Sequence, residues 1–114
     1  MGQQYSGKIV VVTGAASGIG LAIAQAFAEE GAIVCGVDIN GVALESAFAK
    51  SNALKAASST YVADLSSEVD AVSISGKVIT DYGRVDVLVN NAGINMNKKI
   101  ETLELVDWDN VFNI

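Results

Sequence analysis

Four short runs of consecutive, mostly β-branched residues alternate with stretches whose apolar positions recur at helical spacing. The runs are Ile9-Val10-Val11-Val12, Ile33 to Val37, Thr60 to Ala63 and Val85 to Val89. Such runs suit parallel strands buried on both faces. From Ile19 to Glu30, the residues Ile19, Ala22, Ile23, Ala26 and Phe27 share one stripe, with Gln25, Glu29 and Glu30 off it. This predicts an amphipathic helix, stopped by Gly31. Asn40 is a helix-capping residue type, and Leu44, Ala47 and Phe48 carry a weaker helical pattern behind it. Residues 53–59 read as loop. Ser66 or Ser67 opens the next helix, with Val69, Val72 and Ile79 as its apolar face, and Ser67 and Asp70 have the spacing of a capping box. Gly76 in its middle costs about 1 kcal/mol against alanine, which suggests close packing. Gly83 ends it. Leu103 to Ile114 reads as the start of a further helix.

This alternation, with connections of a few residues, predicts an α/β fold: a doubly wound parallel sheet with helices on both faces. Right-handed crossovers lead to the strand order 3-2-1-4. The 114 residues are one domain's worth, and 51% hydrophobic against 18% charged residues is enough to bury a core.

Charge and composition then exclude several function classes. The net charge is −6, and of the seven cations only Lys98 and Lys99 are adjacent. Phosphate-backbone binding needs clustered Lys and Arg, so a nucleic-acid partner is not expected, nor is an anionic membrane surface. Cys35 is the only cysteine, which rules out an intrachain disulfide and favours a reducing compartment. There is no histidine, the commonest metal ligand and general base, and no metal site is expected. No apolar run approaches membrane-span length, and Met1 to Gly7 lacks the apolar core of a signal peptide. The expected location is cytoplasmic.

The segment Thr13-Gly14-Ala15-Ala16-Ser17-Gly18-Ile19-Gly20 follows a predicted strand and opens a helix. Free backbone N–H groups at a helix start, together with the dipole, make a site for phosphate. Gly14 lets the chain turn, Gly18 lets the backbone approach a pyrophosphate, and Gly20 lets the helix pack closely. The Ser17 hydroxyl adds a donor, and Ile19 lies in the same turn. Three glycines alone also fit an ordinary tight strand-to-helix turn; the strand-turn-helix context is what favours phosphate.

Asp38 closes the second strand, where a dinucleotide-binding fold places the carboxylate that accepts hydrogen bonds from the adenosine ribose. A carboxylate there repels a 2′-phosphate, and no Lys or Arg lies between Lys8 and Lys50 to pair with one. Both features favour NAD over NADP. Asp38 also fits the role of a helix cap. Asp64 closes the third strand in the same manner. It could accept from the adenine amino group, with Leu65 offering a backbone contact, or simply start the next helix.

As a set, Thr13-Gly14-x-x-x-Gly18-x-Gly20, Asp38, Asp64-Leu65 and Asn90-Asn91-Ala92-Gly93 resemble the short-chain dehydrogenase/reductase family, over Lys8 to Ile114. The resemblance implies a Rossmann fold considerably longer than this chain. Residues 1–114 are then expected to be the truncated N-terminal part of a single NAD(P)-binding domain, and the complete protein a homo-oligomer. It implies an NAD(P)-dependent oxidoreductase passing hydride between the cofactor and a small-molecule alcohol or carbonyl, and Asp38 narrows this to an NAD-dependent one. It also places Asn91, Ala92 and Gly93 beside the cofactor, although an Asn pair serves turns equally well.

The family's chemistry uses a Ser, an assisting Asn and a Tyr-x-x-x-Lys pair, in which the lysine lowers the tyrosine pKa. Tyr5, Tyr61 and Tyr82 have no Lys four residues on. Asn113 falls short of the assisting position, which the resemblance places just past Ile114; it reads instead as a helix-surface residue, with Trp108 and Phe112 in the core. No catalytic residue is therefore assigned, and the chain alone is expected to be inactive. Without a fifth strand, Val85 to Val89 would be an exposed apolar edge that invites self-pairing. Two other readings stay open. One is a non-catalytic dinucleotide-binding module, or truncated partner of a full-length subunit. The other is an S-adenosylmethionine-dependent methyltransferase, against which the Asn-Asn-Ala-Gly segment argues.

Overall fold

The computed structural model describes residues 5–64, 67–91 and 108–113. The elements in chain order are β1 (Ile9–Thr13), α1 (Gly18–Glu29), β2 (Ile33–Asp38), α2 (Gly41–Lys50), α3 (Asn52–Ala56), β3 (Ser58–Val62), α4 (Glu68–Tyr82), β4 (Val85–Asn90) and β5 (Trp108–Asn113). All four strand pairings are parallel, in the order β3-β2-β1-β4-β5. The predicted 3-2-1-4 arrangement is the body of this sheet.

Alternation along the strands sends side chains to two cores. Ile9, Val11, Cys35, Val37, Tyr61 and Leu88 pack on one face with Ala71, Ile74 and Val78 of α4. Val10, Val12, Val34, Val87 and Val89 pack on the other with Ala24, Leu44, Phe48 and Leu54 of α1, α2 and α3. Continuous apolar runs are what a sheet covered on both sides demands.

The predicted caps and stops largely form. Asn40 Oδ1 accepts from Ala43 N–H at 3.0 Å. Gly31 adopts φ 89°, with its N–H on the Ala28 carbonyl and the Ala32 N–H on that of Phe27, the paired bonds of a left-handed helix stop. Gly83 ends α4 at φ 82° with a single bond, its N–H donating to the Ile79 carbonyl at 2.7 Å. The capping box forms by half. Ser67 Oγ accepts from Asp70 N–H at 3.4 Å, but the Asp70 carboxylate accepts from Asp64 N–H at 3.0 Å and not from Ser67.

Five expectations are corrected. The buried face of α1 runs through Gly20 and Ala24, with Leu21, Ile23, Phe27 and Ala28 partly covered. Ile19, Ala22 and Ala26 are exposed, because close packing at Gly20 sets the rotation of the helix. The face of α4 is Ala71, Ile74 and Val78, with Ile79 partly buried; Val69 and Val72 point outward. Gly76 is exposed, and a Cβ there would meet nothing within 4 Å. Residues 53–59, read as loop, contain most of α3 and the start of β3; Leu54, fully buried, makes that turn part of the core. Finally, 108–113 is a strand, not a helix, so Asn113 is no helix-surface residue, and it lies in register with Asn90. β4 therefore has no free edge, and self-pairing there is not expected. A buried strand must satisfy its backbone groups on both sides, and β5 supplies that partner.

The burial of Leu54 carries a prediction. Leu54→Ala should lower stability by about 3 kcal/mol, read as a drop in the urea midpoint with an unchanged slope. A change under about 0.5 kcal/mol would show that α3 is not integral to the core.

Candidate dinucleotide site

The carboxyl ends of β1, β2 and β4 converge where the strand order reverses around β1. In open parallel sheets this switch point is where ligands bind. The glycine turn occupies it. Gly14 and Gly18 adopt φ of 63° and 59°, the left-handed region that glycine enters without steric cost. Ser17 is the N-cap of α1, extended and exposed, with no side-chain cap bond. The Gly18, Ile19 and Gly20 amides form the first helical turn, where N–H groups have no acceptor inside the helix. No acidic residue lies in that turn to compete for the dipole. Ile19 is 63% exposed, so it belongs to the rim of this site and not to the core.

The turn is held from two sides. From β2, the Val37 carbonyl accepts from Ala15 N–H at 3.2 Å, and Asp38 Oδ2 accepts from Ala16 N–H at 3.0 Å. Asp38 Oδ1 accepts from Asn40 N–H at 3.0 Å. Asn40, not Asp38, caps α2, and the Asp38 carboxylate faces the turn. From β4, the buried Thr13 hydroxyl accepts from Asn91 N–H at 2.8 Å. It lies 3.4 Å from the Val89 carbonyl and 3.3 Å from Asn90 Oδ1. Asn91 Nδ2 donates to the Gly14 carbonyl at 3.3 Å.

Gly20 sits where these groups meet. A Cβ there would overlap the Gly14 carbonyl and stand 2.6 Å from Asn91 Nδ2. The close packing expected of Gly20 is thus against the turn and the β4 end.

Gly14, Ser17, Gly18, Ile19, Gly20, Asp38 and Asn91 are therefore brought together. Asp64 is exposed just beyond β3. Ala63 N–H donates to the Asp38 carbonyl at 3.1 Å, which sets the β3 end beside β2. The Asp64 main chain enters the start of α4, its carbonyl accepting from Ser67 N–H at 2.9 Å. Leu65, Ala92 and Gly93 lie outside the described residues. The residues that the sequence reading left without a role are Thr13, Ala15 and Ala16. A threonine ending a buried strand signals a hydroxyl in need of partners, but spacing alone does not name them.

The donor set fits a dinucleotide: first-turn amides and a hydroxyl for phosphate, and a carboxylate for a sugar diol. It offers no metal site, and among the described residues no group of three His, Cys, Asp or Glu could hold one. Burial, followed by the charge of Asp81, pushes the Cys35 thiol up to about 12, so it stays protonated and unreactive at neutral pH. Burial and donation to Asp81 at 2.7 Å likewise hold Tyr61 in its neutral form.

Comparison with known proteins places these features in context. The family of short chain dehydrogenases matches residues 8–114. The 3-oxoacyl-[acyl-carrier-protein] reductase FabG of Thermotoga maritima is 40% identical over 111 residues, covering 97% of this chain and 45% of the relative. An NAD+-bound xylitol dehydrogenase superposes with a TM-score of 0.74 at 40% identity, over 80% of this chain and 35% of that one. The Pseudomonas aeruginosa RhlG/NADP complex superposes at 0.73 with 35% identity, over 81% and 36%. The chain thus spans less than half the length of the relatives it matches.

Proposed function

The chain belongs to the short-chain dehydrogenase family, and on that premise we propose that it is the NAD-binding part of an oxidoreductase acting on a small-molecule alcohol or carbonyl. The observation that carries this is the Asp38 carboxylate fixed against the glycine turn. Gly18, Ile19 and Gly20 offer amides and Ser17 a hydroxyl to the pyrophosphate. Asp38 takes the ribose hydroxyls of the adenosine half, and Ile39, 66% exposed beside it, offers an apolar surface to the base. Asp64 and Leu65 are assigned the adenine contacts, and Asn91, Ala92 and Gly93 contacts with the rest of the cofactor. When bound, the nicotinamide ring supplies the hydride acceptor or donor.

Family relatives include complexes with NAD+ and with NADP, so the choice rests on this chain's own residues. A 2′-phosphate would meet the Asp38 charge, and no Lys or Arg between Lys8 and Lys50 offsets it. Juxtaposed like charges cost several kcal/mol. Calorimetry should therefore find NAD+ bound about a hundredfold more tightly than NADP+, with Asp38→Ala narrowing that gap. Equal affinities for the wild-type chain would overturn the NAD assignment.

The location proposed is cytoplasmic, and the longer protein is proposed to assemble from like subunits. Among the described residues no helix is long and apolar enough to cross a membrane. A second reading is favoured by one feature. Tyr5, Tyr61 and Tyr82 are followed four residues on by Ile9, Leu65 and Asp86, none a lysine. The 114 residues alone then act as a dinucleotide-binding module without turnover. Substrate-dependent NADH formation by this chain would exclude that reading.

A further inference from the structure

We propose that Asp38 is also a positioning residue for the phosphate turn, a role that rests on the dinucleotide reading and extends it. Its two carboxylate oxygens are anchored to different segments, Oδ2 by Ala16 N–H and Oδ1 by Asn40 N–H, each at 3.0 Å. Ala16 lies between Gly14 and Gly18, both with positive φ. A turn with glycine on each side has little stiffness of its own, so a clamp at its middle decides where α1 begins. Among the described residues the other tie from β2 to the turn is the Ala15 N–H bond to the Val37 carbonyl, and it is a neutral one. A hydrogen bond to a carboxylate is roughly twice as strong as a neutral pair. Ala16 is 7% exposed, so without Asp38 its N–H is buried with no acceptor and the turn must shift to find one. The sugar-binding group therefore also holds the phosphate-binding amides in place.

Removing the carboxylate should then weaken even a ligand that has no ribose hydroxyls to offer it. The probe is 2′,3′-dideoxyadenosine diphosphate, compared with NAD+ on the wild-type chain and on Asp38→Ala by calorimetry. The expected result is a loss of about fivefold for the dideoxy ligand and a larger loss for NAD+. Should Asp38→Ala weaken NAD+ while leaving the dideoxy ligand within twofold of wild type, the positioning role is overturned and the ribose contact stands. Should the wild-type chain bind neither ligand, the dinucleotide reading fails and this proposal falls with it. A measurement on the unliganded wild-type chain is independent of how the variant folds. A trans-hydrogen-bond scalar coupling is expected between the Ala16 amide nitrogen and the Asp38 carboxylate carbon, and its absence would also overturn the proposal.

Discussion

Gly20→Ala is expected to cost about 2–3 kcal/mol of stability and to weaken NAD+ binding about a hundredfold. One methyl group is enough because both obstacles are held. The Gly14 carbonyl belongs to the main chain and is bonded to Asn91 Nδ2, while Asn91 is fixed through its own amide to Thr13. The added carbon overlaps the first and stands 2.6 Å from the second, so α1 must lift away from β1. That motion displaces the amides proposed to face the phosphates. Gly18→Ala is the matched control for stability, since its Cβ would meet nothing within 4 Å of the protein and only the positive φ is strained, at about 1–2 kcal/mol. Urea unfolding of both variants and NAD+ calorimetry on Gly20→Ala test this. Equal stability of Gly20→Ala and wild type would show that the turn and the β4 end are not in contact.

Asp86→Ala is expected to lower stability by about 3 kcal/mol. Asp86 is 6% exposed at the amino-terminal end of the sheet. Its Oδ2 accepts from the buried Ile9 N–H at 2.8 Å and from Arg84 Nε at 2.9 Å. Removing it leaves a strand amide buried without an acceptor, which accounts for most of the loss. The Arg84 side chain is 55% exposed, so its ion pair adds little. Burial works to raise the Asp86 pKa, but the bonds from Arg84 and Ile9 outweigh it and the carboxyl is held below its usual value. A depressed carboxyl stabilises the fold fully above its unfolded value of about 3.9. That stabilisation is lost as pH falls through the lower folded value. The wild-type chain should therefore lose stability below about pH 4, and Asp86→Ala should lose less over the same range. Parallel pH profiles for the two proteins would rule out this role.

How far the sequence carried the account depends on the kind of signal. Strands β1, β2 and β4 were legible because burial on both faces demands unbroken apolar runs. The glycine turn and Asp38 were legible because left-handed backbone and an acidic strand end are local requirements. Helix faces were less so. In α1, alanines and isoleucines surround the axis, so periodicity could not say which stripe is buried; the contact at Gly20 decides it. In α4, Val69 and Val72 outweighed Ala71 in the pattern, yet the small residue is the one that reaches the sheet. Residues 108–113 failed as a helix because a polar-apolar mixture of six residues fits either period, and pairing with β4 is not a local property. Within the site, the ties from Asp38 to Ala16 and from Asn91 to Gly14 span 22 and 77 positions, and no spacing rule predicts either.

In the proposed binding mode, dinucleotide phosphates rest on the first-turn amides of α1 while Asp38 holds the sugar. Amide NMR during an NAD+ titration tests it most directly. Saturable shifts are expected to concentrate at Ser17, Gly18, Ile19, Gly20 and Asp38, with NADP+ failing to reproduce them at equal concentration. Saturable shifts confined to the groove between α1 and α2, at Leu21, Gln25, Ala43 and Lys50, or no saturation at all, would contradict it.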